Sequence, residues 1–247
     1  MTFGSLFAGI GGFDLGFERA GFECRWQVEI NPYCQRVLAK HWPNVRRWDD
    51  VRTWPQADTE RVDCIIGGFP CQDISYAGFG AGINGKRSGL FYEFMRIVRD
   101  LEPRIVVLEN VAALLNRGMG DVLGTLASLG FDAEWECIPA SALGLYHDRD
   151  RVFVCAYRKG TISGVFAKSR KRTKRQWELR RLAGSAAASR WPRPRFEGEP
   201  NVAPLVYGIP DRLGRHGAGR GLGNAVVPQV AEYIARRILA AEGRVAT

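Results

Sequence analysis

Val62-Asp63-Cys64-Ile65-Ile66-Gly67-Gly68-Phe69-Pro70-Cys71-Gln72 is a short apolar run broken by two glycines and a proline. The apolar residues predict a buried strand. Pro70 has no N–H and pushes Phe69 towards extended geometry, so the strand must end there. Cys71 is thereby set on a turn just beyond a strand's carboxyl end, where open α/β sheets build their sites. Gly67 and Gly68 let another group approach the backbone closely. A cysteine taken at random is more often a buried apolar thiol. The residues around Pro70 turn the reading towards a nucleophile.

Working outward, Thr2 to Phe7 reads as a first strand running into Ala8-Gly9-Ile10-Gly11-Gly12 and a helix from Phe13 to Ala20, stopped by Gly21. A second strand, Phe22 to Ile30, carries Glu29 near its end. The distance from Gly9 to Glu29 matches the spacing at which a doubly wound fold sets an acid on a ribose hydroxyl. The glycines read G-x-G-G rather than G-x-G-x-x-G, so they fit a nucleotide-like cofactor better than a dinucleotide; an ordinary tight turn is the alternative. Asn31 and Pro32 form a helix start, as N-cap and first helical residue. Trp48-Asp49-Asp50-Val51 reads as the end of a short third strand. It places Asp50 at the same edge as Glu29, either as an acceptor for an exocyclic amine or as a solvated turn residue.

Tyr76 to Ser88 holds four glycines with Lys86-Arg87 and reads as a lid. Leu90 to Leu101 is an amphipathic helix with Phe91, Phe94, Met95 and Val98 facing the core. Arg104 to Leu108 is a β-branched run typical of a buried parallel strand, ending in Glu109-Asn110-Val111. A carboxylate there is costly unless it has a partner or a task. A helix from Gly118 to Leu129 and a strand from Phe131 to Ile138 are predicted next. Arg149 and Arg151 precede a further strand and point the same way, towards an anion or a carboxylate; salt bridges with Asp148 and Asp150 are the alternative. A last helix runs to about Leu239.

Composition sets the bounds. The 247 residues, 46% hydrophobic, are enough for one full core. No apolar run reaches membrane-spanning length, which predicts a cytoplasmic protein, or a nuclear one in a eukaryotic host. The six cysteines form no C-x-x-C pair, so neither a metal site nor a disulfide framework is expected. From Arg158 to Arg195 there are thirteen Lys/Arg against Glu178 alone, a local +12 in a chain whose net charge is +9. Charge concentrated in one segment points to a polyanion; a basic linker is the alternative. The expected organisation is 1–157 as the main domain, 158–205 as a small basic region and 206–247 as a return to the main domain.

Taken together, these motifs resemble the DNA cytosine-5 methyltransferases, in the family's order and over nearly the whole chain. The resemblance implies an α/β fold: a doubly wound, Rossmann-like sheet of the S-adenosylmethionine-dependent kind, with a small basic target-recognition insertion. It implies S-adenosyl-L-methionine as cofactor and S-adenosyl-L-homocysteine as product. Phe7-Ala8-Gly9-Ile10-Gly11-Gly12 is similar to the cofactor loop, with Phe7 on the adenine. Glu29 matches the ribose contact, Asp50 the adenine contact and Leu90 the methionine side, with Ile30, Val51, Gly68 and Pro70 as further cofactor-binding residues. Asn224 and Ala225, in Gly223-Asn224-Ala225-Val226-Val227-Pro228, resemble the last motif, which closes over the cofactor.

For catalysis the resemblance implies Cys71 as nucleophile, Glu109 of the E-N-V motif, and Arg149 and Arg151 of the Q-x-R-x-R motif. Its expected partner is double-stranded DNA, met by Gln72, Ser75, Lys86, Arg87, Arg170, Arg172, Lys174 and Arg175, with the protein acting as a monomer. Restriction-modification systems and phage-borne members are its implied setting. His147 stands where the family usually has glutamine, and the recognition region is short, as in compact phage or prophage members. The chemistry expected is addition of Cys71 to carbon 6 of a flipped-out cytosine, methyl transfer to carbon 5, and release of the thiol. Against it stand a non-catalytic DNA-binding relative, a methyltransferase of RNA cytosine, and a nicotinamide-dependent oxidoreductase.

Overall fold

The computed structural model describes residues 1–54, 59–70, 89–143, 150–166 and 225–243. Seven strands form one sheet in the order β3-β2-β1-β4-β5-β7-β6. They are β1 (Thr2–Leu6), β2 (Glu23–Val28), β3 (Arg46–Trp48), β4 (Cys64–Gly67), β5 (Ile105–Val111), β6 (Phe131–Pro139) and β7 (Asp150–Arg158). The helices are α1 (Gly12–Arg19), α2 (Pro32–His41), α3 (Leu90–Leu101), α4 (Leu114–Arg117), α5 (Met119–Ser128) and, after the strands, α6 (Pro228–Ala241). No helix among the described residues is long and apolar enough to cross a membrane.

β1 pairs in parallel with both β2 and β4. The chain winds outward through β2 and β3, then resumes on β1's other side at β4. The gap between the carboxyl ends of β1 and β4 is therefore the sheet's topological switch point, where doubly wound folds bind ligands. β1, β4 and β5 are apolar on both faces because helices cover both. Phe3, Ile66, Val107 and Phe153 meet α1 and α6 on one side. Leu6, Ile65, Val106 and Leu108 meet α3 and α5 on the other.

The expected elements are present, with shifted ends. α3 spans the range read from its stripe, and Phe91, Phe94, Met95 and Val98 are all buried. Asn31 caps α2, its Oδ1 accepting from the Tyr33 N–H at 2.9 Å and the Cys34 N–H at 3.4 Å, with Pro32 in the first turn. β2 stops at Val28 and β3 at Trp48, short of Glu29 and Asp50, which follow just beyond the strand ends. The helix expected from Gly118 is preceded by a short one, α4, and Gly118 separates the two. Arg151 lies inside β7 rather than before it. β7 runs antiparallel to both β5 and β6, so its first residues arrive at the same sheet edge where β4 and β5 end.

Candidate active site along the carboxyl edge

The glycine loop leaves β1 with a strained residue. Phe7 has φ +54°, which costs a side chain of its size about 1–3 kcal/mol and is characteristic of functional turns. Its ring stacks on Phe94 of α3 at 6.4 Å between centroids. Ala8 donates its N–H to the Val28 carbonyl at 3.1 Å, and Gly11 donates to Ala8 at 3.0 Å. A Cβ on Gly12 would collide with the Val226 carbonyl, so a glycine is needed where α1 starts against the segment containing Ala225.

Glu29 holds this loop to the end of β2. Its Oε2 accepts from the Gly9 N–H at 2.7 Å and its Oε1 from the Asn31 N–H at 2.8 Å. Burial pushes its carboxyl up, opposed by the bonds from Asn31 and Gly9. Ile30 beside it is 59% exposed, an apolar side chain left at the rim. Asp50 sits in the turn after β3, 18% exposed in its side chain, and its carboxylate takes the Arg52 guanidinium at 2.6 Å. That hydrogen bond holds the Asp50 carboxyl below its ordinary value. Val51 is buried, and its carbonyl accepts from Arg96 of α3 at 2.8 Å. Leu90, half-buried, opens α3 on the same side.

Across the switch point, Gly67 pairs with Leu108, which sets Gly68 beside Glu109. A Cβ on Gly68 would lie 2.8 Å from Glu109 Oε2, so a larger residue there would make that carboxylate shift. Glu109 is 7% exposed and forms an ion pair with Arg151 Nε at 2.9 Å. The pairing follows from the antiparallel β7, whose Arg151 lies opposite Val111. Glu109, Arg151, Ile138, Phe153, Val227 and Val230 line a small pocket at this edge. Pro70 closes the described part of the turn. Asn110, on the opposite face, donates from Nδ2 to the Phe69 carbonyl at 3.2 Å, tying the Phe69-Pro70 turn to β5.

Of the residues singled out in the sequence, the structure brings Phe7, Ala8, Gly9, Gly11, Gly12, Glu29, Ile30, Asp50, Val51, Gly68, Pro70, Leu90, Glu109, Arg151 and Ala225 to this edge or the helix starts beside it. Cys71, Gln72, Ser75, Lys86, Arg87, His147, Arg149, Arg170, Arg172, Lys174, Arg175 and Asn224 lie outside the described residues. Among the described residues no His/Cys/Asp/Glu cluster is arranged to hold a metal.

Sequence reasoning missed Asp14. It is fully buried beneath the glycine loop, accepting from Ser5 Oγ at 3.1 Å and Gln27 Nε2 at 2.8 Å. Burial pushes its carboxyl up to about 6, against the bonds from Gln27 and Ser5. The available signal was an acid between Phe13 and Phe17 on the apolar face of α1. The role of Asn110 was also missed, although the residue stood inside the quoted E-N-V triplet.

Residues 1–192 match the family of C-5 cytosine-specific DNA methylases. The type II methyltransferase M.FnuDI of Fusobacterium nucleatum is 36% identical over 162 residues, which is 63% of this chain and 46% of that protein. M.NgoPII of Neisseria gonorrhoeae is 37% identical over 161 residues, 63% of this chain and 47% of that one. The chain thus spans about half the length of these relatives. Among solved structures, a putative DNA modification methyltransferase encoded within an E. coli prophage superposes with a TM-score of 0.56 at 24% identity, covering 66% of this chain and 48% of that one. Spodoptera frugiperda DNMT2 gives a TM-score of 0.55 at 22% identity, covering 64% and 50%. At such identities the two superpositions speak for the Rossmann-like fold alone.

Proposed function

The chain belongs to the C-5 cytosine-specific DNA methylase family, and from that premise we propose that it methylates carbon 5 of a flipped-out cytosine in double-stranded DNA, with Cys71 bonded transiently to carbon 6. The observation that carries this reading is the pairing of buried Glu109 with partly exposed Arg151 at 2.9 Å, set beside the Gly68-Phe69-Pro70 turn that leads into Cys71. A carboxylate and a guanidinium fixed at the rim of a doubly wound sheet match the edge of a pyrimidine, which offers a ring nitrogen and a carbonyl oxygen.

The cofactor in this reading is S-adenosyl-L-methionine, which supplies an electrophilic methyl group on a sulfonium. The residues present fit it. Glu29 and Asp50 offer carboxylate acceptors for hydroxyl and amine donors, and Ile30 leaves exposed apolar surface for a ring to cover. Phe7 and Leu90 lie on the way to β4.

Each residue then has a defined task. The Cys71 thiolate adds to carbon 6, and its electron pair moves the ring's density to carbon 5. Glu109 holds a proton at ring nitrogen 3 and so offsets the negative charge that the attack creates. Arg151 fixes the Glu109 carboxylate and adds positive charge near the thiol, which favours the thiolate. Arg149 is assigned to the same anionic region. After methylation, loss of the carbon-5 proton to solvent expels Cys71. The duplex must release its base for this geometry. Gln72, Ser75, Lys86 and Arg87 are assigned to the strand, and the basic segment around Arg170, Arg172, Lys174 and Arg175 to phosphates, where contacts give affinity and salt dependence rather than sequence.

The test is transfer of labelled methyl from the cofactor to duplex DNA and, in parallel, to tRNA, followed by bisulfite sequencing of the DNA. Label in duplex cytosine is the expected result. Label in tRNA alone moves the substrate to RNA, and label in neither removes the enzyme reading.

A further inference from the structure

The last described residues before the basic segment are bound to the fold more firmly than a connection requires. β7 ends at Arg158, and the chain turns back with Thr161 Oγ1 donating to the Arg158 carbonyl at 2.7 Å. Ile162, Val165 and Phe166 are then buried in the core shared with α6. Gly164 takes φ +75°. Two charged side chains from different elements grip this stretch. Glu134 of β6 accepts from the Gly164 N–H at 2.6 Å and the Phe166 N–H at 3.0 Å. It also accepts from the buried Tyr157 hydroxyl at 2.6 Å. Arg237 of α6 donates Nε to the Val165 carbonyl at 2.7 Å and Nη2 to the Gly164 carbonyl at 3.3 Å.

These partners are unequal to ordinary loop contacts. Both main-chain donors go to a carboxylate and both carbonyls to a guanidinium, and such charge-assisted bonds are roughly twice as strong as neutral ones. The placement is also specific. Residue 167 begins the stretch that returns at Ala225, just before α6 starts at Pro228. Arg237 lies nine residues into that helix, about 14 Å along its axis. One helix therefore borders both ends of the stretch. The same helix contributes Val230, and the residue before it Val227, to the pocket lined by Glu109 and Arg151. A displacement of residues 164–166 would therefore act on the same helix that borders this pocket.

We propose that Glu134 and Arg237 are positioning residues for DNA: together they clamp residues 164–166 and fix the root of the basic segment relative to the Glu109–Arg151 edge. The proposal rests on the DNA methyltransferase reading above. Neither residue touches the reacting atoms, and both sit away from Glu29 and Asp50, so cofactor binding should not depend on them.

The experiment compares the wild type with Glu134→Gln, Arg237→Ala, Arg237→Lys and the milder Tyr157→Phe. Three readouts are taken: amide exchange at Gly164 and Phe166, affinity for a mixed-sequence DNA duplex, and affinity for S-adenosyl-L-homocysteine. Loss of one charge-assisted pair should weaken DNA binding by about tenfold. Exchange should speed up at the two amides, cofactor-product affinity should stay within about twofold, and Arg237→Lys should fall between Arg237→Ala and wild type. Tyr157→Phe, which removes one hydroxyl and leaves its ring, should give the smallest loss and covers the case in which a charge variant does not fold. Faster exchange with unchanged DNA affinity overturns the proposal, as does a parallel loss of both affinities. A wild type that binds no DNA removes the methyltransferase reading and the proposal with it. Wild-type binding with unaffected variants overturns the proposal alone.

Discussion

The two halves of the carboxyl edge are built differently. On the β1–β3 side the acids are held by main-chain amides: Glu29 by those of Gly9 and Asn31, Asp50 in part by that of Arg52 at 2.9 Å. On the β4–β5–β7 side, side chains do the holding across long separations: Glu109 pairs with the Arg151 guanidinium, and the Asn110 amide reaches the Phe69 carbonyl. Main-chain grips make a rigid socket whose shape survives most substitutions. A side-chain pair makes a polarised but fragile arrangement, because removing one partner leaves a buried charge uncompensated. On the proposed function, the first construction suits a cofactor common to many substrates, the second a reacting ring whose charge changes during the reaction.

Substitution should separate the halves. The largest effect is expected from Cys71→Ser, which should lower turnover by roughly 10³-fold or more while leaving S-adenosyl-L-homocysteine affinity near wild type. Retained turnover would take the nucleophile away from Cys71. Glu109→Gln keeps shape and loses charge, so kcat should fall by about 10²-fold to 10³-fold with little change in cofactor affinity. If the cofactor affinity fell instead, Glu109 would belong to the other half, and the contrast between the halves would break.

The cofactor half rests on a buried acid, and pH reports on it. The Asp14 carboxyl is pushed up to about 6 from 3.8, burial being the main cause. Between those values the folded protein holds a proton that the unfolded chain has released, so stability falls as pH rises through that window and is level above it. The drop amounts to about 3 kcal/mol. Denaturant titrations from pH 4 to 7 should show it, and Asp14→Asn should flatten it; an unchanged slope in the variant would assign the effect to another group. A smaller effect is expected at the rim. Glu29→Gln should weaken cofactor binding by about tenfold, with kcat at saturation nearly unchanged.

Legibility in the sequence followed the same division. The Asn31-Pro32 helix start and the stripe on α3 are local signals, and the structure reproduces them. Glu109 and Arg151 were both singled out, but their meeting depends on β7 entering antiparallel at the edge where β5 leaves. No period in the sequence reports that direction. Asp14 was hidden for a related reason: its partners Ser5 and Gln27 lie on two neighbouring strands, and a buried acid looks like any other acid until its surroundings are assembled. The clamp at Glu134 escaped because Tyr157, Gly164 and Phe166 meet it only once β6 and β7 are paired. Arg158 was counted with the basic segment. It is the last residue of β7, bonded to the carbonyls of Pro103 and Leu129.

The smallest effect is expected at Arg52, and it sharpens the contrast most finely. Its guanidinium occupies both Asp50 oxygens, yet its side chain is 60% exposed. An exposed pair of this kind contributes little and weakens with salt. The Asp50 turn does not depend on it, because the Arg52 main-chain N–H still grips Oδ1 when the side chain is cut back. If the socket is indeed set by main chain, the guanidinium is a competitor for the lone pairs that an adenine amine would use. Arg52→Ala should then tighten S-adenosyl-L-homocysteine binding slightly, by no more than about threefold, and the gain should shrink as salt is raised. Calorimetry at two ionic strengths reads both. Weaker binding in the variant would mean that the side chain orients Asp50, and the cofactor half would then share the side-chain construction of its neighbour.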